Sequence, residues 1–271
     1  MDEAIRPRIG VPMGDPAGIG PEIALLAALD PGVAEAADVV LVGSRRVAAA
    51  AGRILRQAGR LEGVGDDDLE RVLSGLAEVP GADVDPVPYG RIDAACGRAA
   101  YACIRASSEL ALAGRIDAVA TTPIHKESIR AAGVPFIGHT EMYGALSGTP
   151  DPVTLFQTGR LRILFLTRHL SLQDACRAIA EDRVFRGIVD GIGALSSLGL
   201  SRDTDAGGRE SCRALLAVAG LNPHNGEHGL FGDEEGRFIE PAIRRAREEG
   251  YDVTGPVPAD SVFAQALHGR Y

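Results

Sequence analysis

Residues 13–23 read MGDPAGIGPEI and lie between an apolar run, residues 9–13, and an amphipathic segment that begins at Pro21. Proline suits the first turn of a helix, and the carboxylate of Glu22 complements the helix dipole there, so the stretch predicts a strand, a tight turn and a helix. Its glycines, at 14, 18 and 20, have neither the GxGxxG spacing of a dinucleotide fingerprint nor the GK[ST] of a P-loop. Spacing alone favours equally a ligand-binding loop at a strand end and an ordinary turn.

Short apolar runs alternate with longer amphipathic segments along the rest of the chain. This alternation predicts an α/β protein with a largely parallel sheet, and two adjacent runs separated only by GRL predict a hairpin. The predicted strands are 9–13, 39–43, 117–122, 153–158, 162–167 and 214–220, and the predicted helices include 21–29, 45–59, 97–114 and 234–250. Stretches rich in Pro, Gly and polar residues predict loops at 80–93 and 200–211.

The composition restricts the class of protein. The chain has 271 residues, of which 45% are hydrophobic, enough for one large or two modest domains. The net charge of -9 disfavours binding to nucleic acid or to an anionic membrane surface, and no apolar run has the roughly 18 residues of a membrane helix. The start, MDEAIRPR, does not have the pattern of a signal peptide. The four cysteines have no CxxC spacing, so we expect free thiols in a cytoplasmic protein.

A second polar stretch, residues 121–144, begins at a predicted strand end and contains Lys126, the only lysine of the chain. An excess of arginine over lysine is typical of coding bias, and the one retained lysine is a weak indication of a position that needs a compact ammonium group. The run His139-Thr140-Glu141 follows a glycine and opens a predicted helix, so it offers backbone N–H groups and a hydroxyl to an anion. An ordinary N-cap at Thr140 with a surface His139 remains the alternative, and from these residues alone it is favoured.

Two histidines, His169 in LFLTRHLSL and His224 in LNPHNGEHG, each follow an apolar run and precede a polar turn. Histidines at strand ends can reach one cleft, and neutral imidazole is a common ligand of Zn²⁺ and similar metals. Hydrogen-bonded structural histidines remain the alternative, and His228 competes with His224 for a ligand role.

Taken together, the stretches MGDPAGIGPEI, TTPIHK, GHTE, RHLSL, LNPHNGEHGLFGDEE and PADSVF resemble the 4-hydroxythreonine-4-phosphate dehydrogenase family of pyridoxal phosphate biosynthesis, over essentially the whole chain. The resemblance implies a fold like that of isocitrate and isopropylmalate dehydrogenases, with two α/β/α domains and a cleft between them. We expect an N-terminal domain over 1–135 and a second over 136–271. The opening stretch is then the first βα loop, with Gly18, Ile19 and Gly20 near the cofactor.

The resemblance also implies the chemistry: oxidation by NAD, with NADP possible, and a divalent Zn, Mg or Co ion. The metal is held by three histidines in the family, and His169 and His224 match two of them. The substrate-binding His-Thr pair matches His139 and Thr140. We expect Lys126 and Asp15 to give polar support to catalysis, and the general base is unassigned.

In the implied reaction the metal lowers the pKa of a substrate hydroxyl, hydride passes to the nicotinamide, and the resulting β-keto acid loses CO2. The substrate alternatives are 4-hydroxythreonine 4-phosphate, 4-phospho-D-threonate or D-erythronate, and a dihydrodiol dicarboxylate. LFGDEE and DSVFAQALHGRY are closer to the threonate branch. The resemblance implies a cytoplasmic homodimer. A non-catalytic binding or oligomerising protein is the alternative of another class.

The third metal histidine of the family lies in a YHDQG motif, and the 271 residues end before it. We expect this chain alone to bind metal weakly and to show no detectable turnover, because two imidazoles leave the ion mostly to water. A version extended through the motif is expected to reduce NAD with a phosphorylated hydroxy acid. Absorbance of the reduced cofactor, measured for both lengths with added zinc or magnesium, tests this, and equal activity would contradict the predicted metal site.

Overall fold

The computed structural model describes residues 6–149, 152–198 and 216–271. The chain packs as two compact units, Met1–Pro152 and Val153–Tyr271. The mixed α/β architecture predicted from the sequence is confirmed. The two packed units meet in the sequence at Pro152, whereas the expected domain boundary follows residue 135. The difference arises because the helix that begins at His139 packs against the longest helix of the first unit. The boundary at 135, the likeness to isocitrate dehydrogenase and the cleft remain predictions.

The first unit is built on a four-stranded parallel sheet. Its strands are β1 (Arg8–Pro12), β2 (Asp38–Gly43), β3 (Ala77–Glu78) and β4 (Ala118–Val119), and they lie side by side in the order β3-β2-β1-β4. In the two pairs that β1 forms, Val11 is opposite Leu41 and Ile9 is opposite Ala118. Three of the four strands match the predicted strands 9–13, 39–43 and 117–122. Only two residues pair in β3, too few to give a period-2 pattern.

The helices of the first unit cover the sheet, and several of them begin at a side-chain cap. The Ser44 hydroxyl accepts the Val47 N–H to begin the helix at Arg45, and the Asp93 carboxylate accepts two N–H groups to begin the helix at Ala94. The core of this unit includes Met13, Leu25 and Leu41. The helices are α1 (Gly20–Leu29), α2 (Pro31–Ala36), α3 (Arg45–Gln57), α4 (Asp66–Ser74), α5 (Ala94–Leu112), α6 (Lys126–Ala131) and α7 (His139–Ser147).

The second unit contains two small pairs of strands. An antiparallel hairpin joins β5 (Leu155–Thr158) to β6 (Leu161–Leu164), as the GRL spacing predicted. A parallel pair joins β7 (Leu216–Ala219) to β8 (Val253–Val257). The helices are α8 (Leu172–Arg177), α9 (Glu181–Ser197), a π-helix (Glu235–Ile239), α10 (Glu240–Glu248) and α11 (Ala259–Leu267). Buried side chains of α9 and α10 form the core with Val253.

Several local predictions are confirmed and one is modified. Residues 82–88 form no regular element, as expected for the 80–93 loop, whereas the predicted loop 200–211 lies outside the described residues. The predicted helix 234–250 begins as a π-helix and continues as α10, where Pro241 has no N–H to donate to the ladder. Cys96, Cys103 and Cys176 are free thiols. In the described part of the chain, none of the helices has the length and apolar character to cross a bilayer.

Candidate active site

The opening stretch and the TTPIHK stretch meet at one edge of the first sheet. Because β1 and β4 are parallel neighbours, the loops that follow them leave the same edge. The Asp15 N–H donates to the Pro123 carbonyl at 3.2 Å, and the Thr122 hydroxyl donates to the Pro12 carbonyl at 2.7 Å. Two stretches that lie far apart in the sequence therefore form one loop cluster.

Two of the three glycines in the opening stretch are required by packing. Gly14 has a φ of +70°, and a Cβ there would lie 2.4 Å from the Pro123 carbonyl oxygen. A Cβ on Gly20 would lie 2.4 Å from the Met13 carbonyl oxygen. Gly18 has more space, and Ile19 is 60% exposed. Of the three predicted cofactor contacts, Gly18 and Ile19 are accessible and Gly20 is buried, and their cofactor role remains a prediction.

The two predicted catalytic residues differ in their surroundings. Asp15 is buried, and its carboxylate accepts the Ala17 N–H at 2.8 Å, so it stabilises the loop itself. Lys126 is the exposed first residue of α6, and the preceding His125 caps that helix by accepting the Ser128 N–H. The catalytic roles of Asp15 and Lys126 remain predictions.

A contact that the sequence did not predict links the 80–93 loop to this cluster. The Tyr89 hydroxyl donates to Glu22, and the Gly90 N–H donates to the Ala17 carbonyl at 2.8 Å. Burial, and then the hydrogen bond to Glu22, raise the pKa of Tyr89. The sequence predicted for Glu22 only a charge that complements the helix dipole. The presence of a tyrosine in a polar loop was the one feature of the sequence that could have indicated Tyr89 as its partner.

The GHTE run opens α7, as predicted. Gly138 is the N-cap and provides no side chain to cap the helix, and the first-turn N–H groups of an α-helix have no partner within it. His139 lies over Tyr143 with ring centroids 6.4 Å apart, and its buried Nε2 has no hydrogen-bond partner. Burial lowers the pKa of His139. Thr140 is the second residue of the helix, so both predicted substrate residues lie at one open helix N-terminus.

The two predicted metal histidines both have a left-handed backbone in the second unit. Among the described residues, five non-glycine residues have a positive φ: His169, His224, Asn225, Glu227 and His228. A left-handed conformation costs an L-residue roughly 1–2 kcal/mol, and such strain clusters at functional sites. The strain is therefore concentrated at the two histidine stretches that the sequence indicated.

The segment Pro223–Gly229 contains a left-handed turn and is joined to the end of β7 by residues 220–222. Its φ values are 52° at His224, 57° at Asn225, 75° at Gly226, 41° at Glu227 and 58° at His228. Because β7 and β8 are parallel, the start of α11 lies at the same edge, where Asp260 Oδ2 is 3.9 Å from His224 Nδ1. The turn thus presents an exposed imidazole beside a carboxylate.

The described residues do not form a complete metal site. No group of three His, Cys, Asp or Glu side chains in 6–149, 152–198 and 216–271 is arranged to hold a metal ion. His169 and His224 have exposed imidazoles, strained backbones and positions after β6 and β7, which fits two ligands of an incomplete site. Their shared metal role remains a prediction.

Comparison with known proteins covers nearly the whole chain. A family model described as pyridoxal phosphate biosynthetic protein PdxA matches residues 35–271. A relative from Symbiobacterium thermophilum, to which D-threonate 4-phosphate dehydrogenase activity is attributed, is 48% identical over 98% of this chain and 77% of its own length. A relative from Fusobacterium nucleatum with the same attribution is 43% identical over 98% of this chain and 78% of its own.

Solved structures are also similar to nearly the whole of this chain. A 4-hydroxythreonine-4-phosphate dehydrogenase from Burkholderia phymatum matches with a TM-score of 0.80 and 34% identity. The match covers 99% of this chain and 79% of that one. The likeness therefore extends over both compact units.

The half-buried imidazole of His139 predicts a pH dependence of stability. Its pKa is lowered from 6.5, so the unfolded chain takes up a proton at a pH where the folded chain does not. The contribution of His139 to the free energy of unfolding is present above pH 6.5 and is lost as the pH falls below that value. We expect the urea concentration at the midpoint of unfolding to be lower at pH 5.5 than at pH 7.5. The difference is expected to be smaller in His139→Gln. The exposed His268→Gln is the control, and the same fall in both variants would contradict the prediction.

Proposed function

The chain belongs to the PdxA family of dehydrogenases, as the sequence resemblance predicted, and we propose that it oxidises and decarboxylates a phosphorylated hydroxy acid with NAD and a divalent metal. The observation that carries the proposal is the buried, unpartnered Nε2 of His139 at the uncapped start of α7. A buried polar atom without a partner is costly unless a ligand supplies one.

In this proposal the start of α7 binds an anionic group of the substrate. The N–H groups of the first turn and the Thr140 hydroxyl are donors suited to a phosphate or carboxylate oxygen. His139 is kept largely neutral by burial at pH 7, so one ring nitrogen can donate and the other can accept. Glu141 lies in the same turn, where its carboxylate complements the helix dipole.

The loop cluster of the first unit is the proposed place of the nicotinamide cofactor. The accessible backbone at Gly18 and the exposed Ile19 provide a flat, partly apolar surface at the carboxyl end of β1. When bound, the cofactor accepts hydride from the substrate carbon. Asp15 fixes the loop from within, and the exposed Lys126 is free to orient an anionic group at the same edge.

His169 and His224 are the proposed protein ligands of the metal in the second unit. A bound divalent ion would supply the positive charge that lowers the pKa of the substrate hydroxyl. Both residues have a left-handed backbone, a kind of strain that clusters at functional sites. Asp260 lies near Nδ1 of His224 and can orient that ring, leaving Nε2 for the ion.

The favoured substrate is D-threonate 4-phosphate. The relatives with that attribution are 48% and 43% identical to this chain, against 34% for the 4-hydroxythreonine-4-phosphate dehydrogenase structure. The second candidate, 4-hydroxythreonine 4-phosphate, differs in carrying an amino group, which needs an acceptor at the site. The three described cysteines are free thiols, which supports the proposed cytoplasmic location.

A substrate panel tests the reaction. Reduction of NAD is measured through the absorbance of the reduced cofactor. We expect kcat/KM to be about tenfold or more higher with D-threonate 4-phosphate than with 4-hydroxythreonine 4-phosphate, because one unpaired buried polar group costs about a factor of ten. A dihydrodiol dicarboxylate and NADP complete the panel. The assay is run on the 271-residue chain and on the version extended through YHDQG.

In the version extended through YHDQG, the variant His139→Gln is expected to lower kcat/KM about 10- to 100-fold, the cost of losing a hydrogen bond to a charged group. His268→Gln, at the exposed end of α11, is the matched control and is expected to retain activity. Activity of His139→Gln equal to that of the control would remove His139 from the substrate site. No turnover by either length on any substrate would favour the non-catalytic alternative.

We also propose that the protein is a homodimer whose interface includes the β5–β6 hairpin. Phe156 is 61% exposed and Phe165 is 40% exposed, and their rings pack edge to face with centroids 4.7 Å apart. Phe156 is opposite Ile163 in the hairpin, and its ring contact with Phe165 extends this apolar surface beyond the end of β6. A second copy of this chain would remove that surface from water.

Sedimentation at micromolar concentration is expected to show a dimer. The substitution Phe156→Asp is expected to raise the dissociation constant of the dimer more than about tenfold, because it places a charge in an apolar contact. Leu112→Asp, which alters a residue that is 65% exposed at the end of α5, is the control and is expected to remain dimeric. A monomeric wild type, or equal dissociation constants for the two variants, would contradict the proposed interface.

A further inference from the structure

The left-handed turn at Pro223–Gly229 requires contacts from outside the turn, because four of its residues are not glycine and have a positive φ. Local hydrogen bonds join the segment to its immediate neighbours in the chain. The Asn225 N–H donates to the Asn222 carbonyl at 3.1 Å, and the Phe231 N–H donates to the Gly226 carbonyl at 3.1 Å. Such local bonds are available to many turns and do not select this one. The contacts that select it come from the start of the π-helix.

Glu235 is the first residue of the π-helix, is only 2% exposed, and binds the chain where it leaves β7. One carboxylate oxygen, Oε1, accepts the N–H groups of Leu221 and Asn222, each at 2.7 Å. The other, Oε2, accepts the side-chain amide of Asn222 at 2.9 Å. Three donors from the two residues that enter the turn therefore converge on one buried carboxylate.

The same carboxylate touches the middle of the turn. A Cβ on Gly226 would lie 3.1 Å from Glu235 Oε2 and 2.5 Å from the Gly232 carbonyl oxygen, so the turn packs against Glu235 without space for a side chain. At its far side the Asn225 side-chain amide donates to the Pro256 carbonyl at 2.9 Å. Glu235 thus contacts the turn at its entry and at its centre, while β8 supports it from the other side.

The charge of Glu235 is retained in this buried position. Burial raises the pKa of its carboxyl, but the hydrogen bonds from Asn222 and Leu221 outweigh burial, and the pKa is lowered overall. Hydrogen bonds to an ionised acceptor are stronger and more directional than those to a neutral one. A π-helix at the same residue is a further departure from regular structure of the kind that accompanies functional sites.

We propose that Glu235 is a positioning residue: its carboxylate holds the left-handed turn that carries His224 and so determines where that imidazole lies. The proposal rests on the proposed function in one respect, that His224 is a metal ligand. Sequence reasoning included Glu235 in the LFGDEE stretch without assigning it a role, because its partners are backbone N–H groups that no residue pattern reveals.

Glu234 provides a matched control. It carries the same charge next to Glu235, and it also accepts the Asn222 side-chain amide, at 2.7 Å. It is only partly buried, and the backbone N–H groups of residues 221 and 222 donate to Glu235 instead. A change from Glu to Gln at the two positions therefore removes equal charge, but only the change at Glu235 weakens the bonds to the backbone N–H groups that enter the turn.

The experiment compares Glu235→Gln with Glu234→Gln in two readouts. Titration with Co²⁺ alone, followed by NMR of the histidine rings, is expected to show an affinity about 10- to 100-fold weaker in Glu235→Gln, the usual effect of losing a partner behind a metal ligand, and less than threefold weaker in Glu234→Gln. The amide protons of Leu221 and Asn222 are expected to move upfield in Glu235→Gln alone, because a neutral amide is the weaker acceptor.

A second variant, Glu235→Asp, keeps the charge with one methylene less, and it is expected to recover part of both readouts if Glu235→Gln is poorly folded. Equal Co²⁺ affinities and unmoved amides in Glu235→Gln and Glu234→Gln would overturn the proposal, as would a lower thermal midpoint with unchanged affinity. His224→Asn tests the proposed function separately. If that variant binds Co²⁺ like the wild type, the metal role of His224 fails, while the amide readout still decides whether Glu235 holds the turn.

Discussion

The parallel pairing of β1 with both β2 and β4 is the constraint on which the first unit depends. Parallel neighbours send their following loops to one edge, so the chain after Pro12 and the chain after Val119 must share the same space. That sharing explains why Gly14 has no room for a Cβ. The loop cluster, the start of α1 and the cap of α6 all follow from this pairing.

The second unit depends on a different kind of constraint, a buried charge that balances backbone strain. The left-handed turn after β7 is unfavourable for its non-glycine residues, and the Glu235 carboxylate meets the N–H groups that enter it. A buried carboxylate is unfavourable without donors, and the exit of β7 supplies them. Each of the two unfavourable features is therefore compensated by the other.

Much of the fold was predictable from the chain itself. The runs 9–13 and 39–43 form β1 and β2, the GRL spacing forms the β5–β6 hairpin, and the GHTE run opens α7. These predictions succeeded because hydrophobic period and capping chemistry act over a few neighbouring residues. The two-residue β3 and the π-helix start of the 234–250 segment were not predictable, since both depend on distant partners.

The sequence by itself determined the family, the α/β class and the stretches that carry polar side chains, because these properties are encoded in local composition and in motif order. Only the tertiary structure decided that Tyr89 meets Glu22, that Nε2 of His139 is buried without a hydrogen-bond partner, and that Glu235 meets the chain entering the His224 turn. Each of these contacts joins residues through space, or depends on burial and backbone dihedral angles. Such quantities are set by how the whole unit packs, and not by the identity of neighbouring residues.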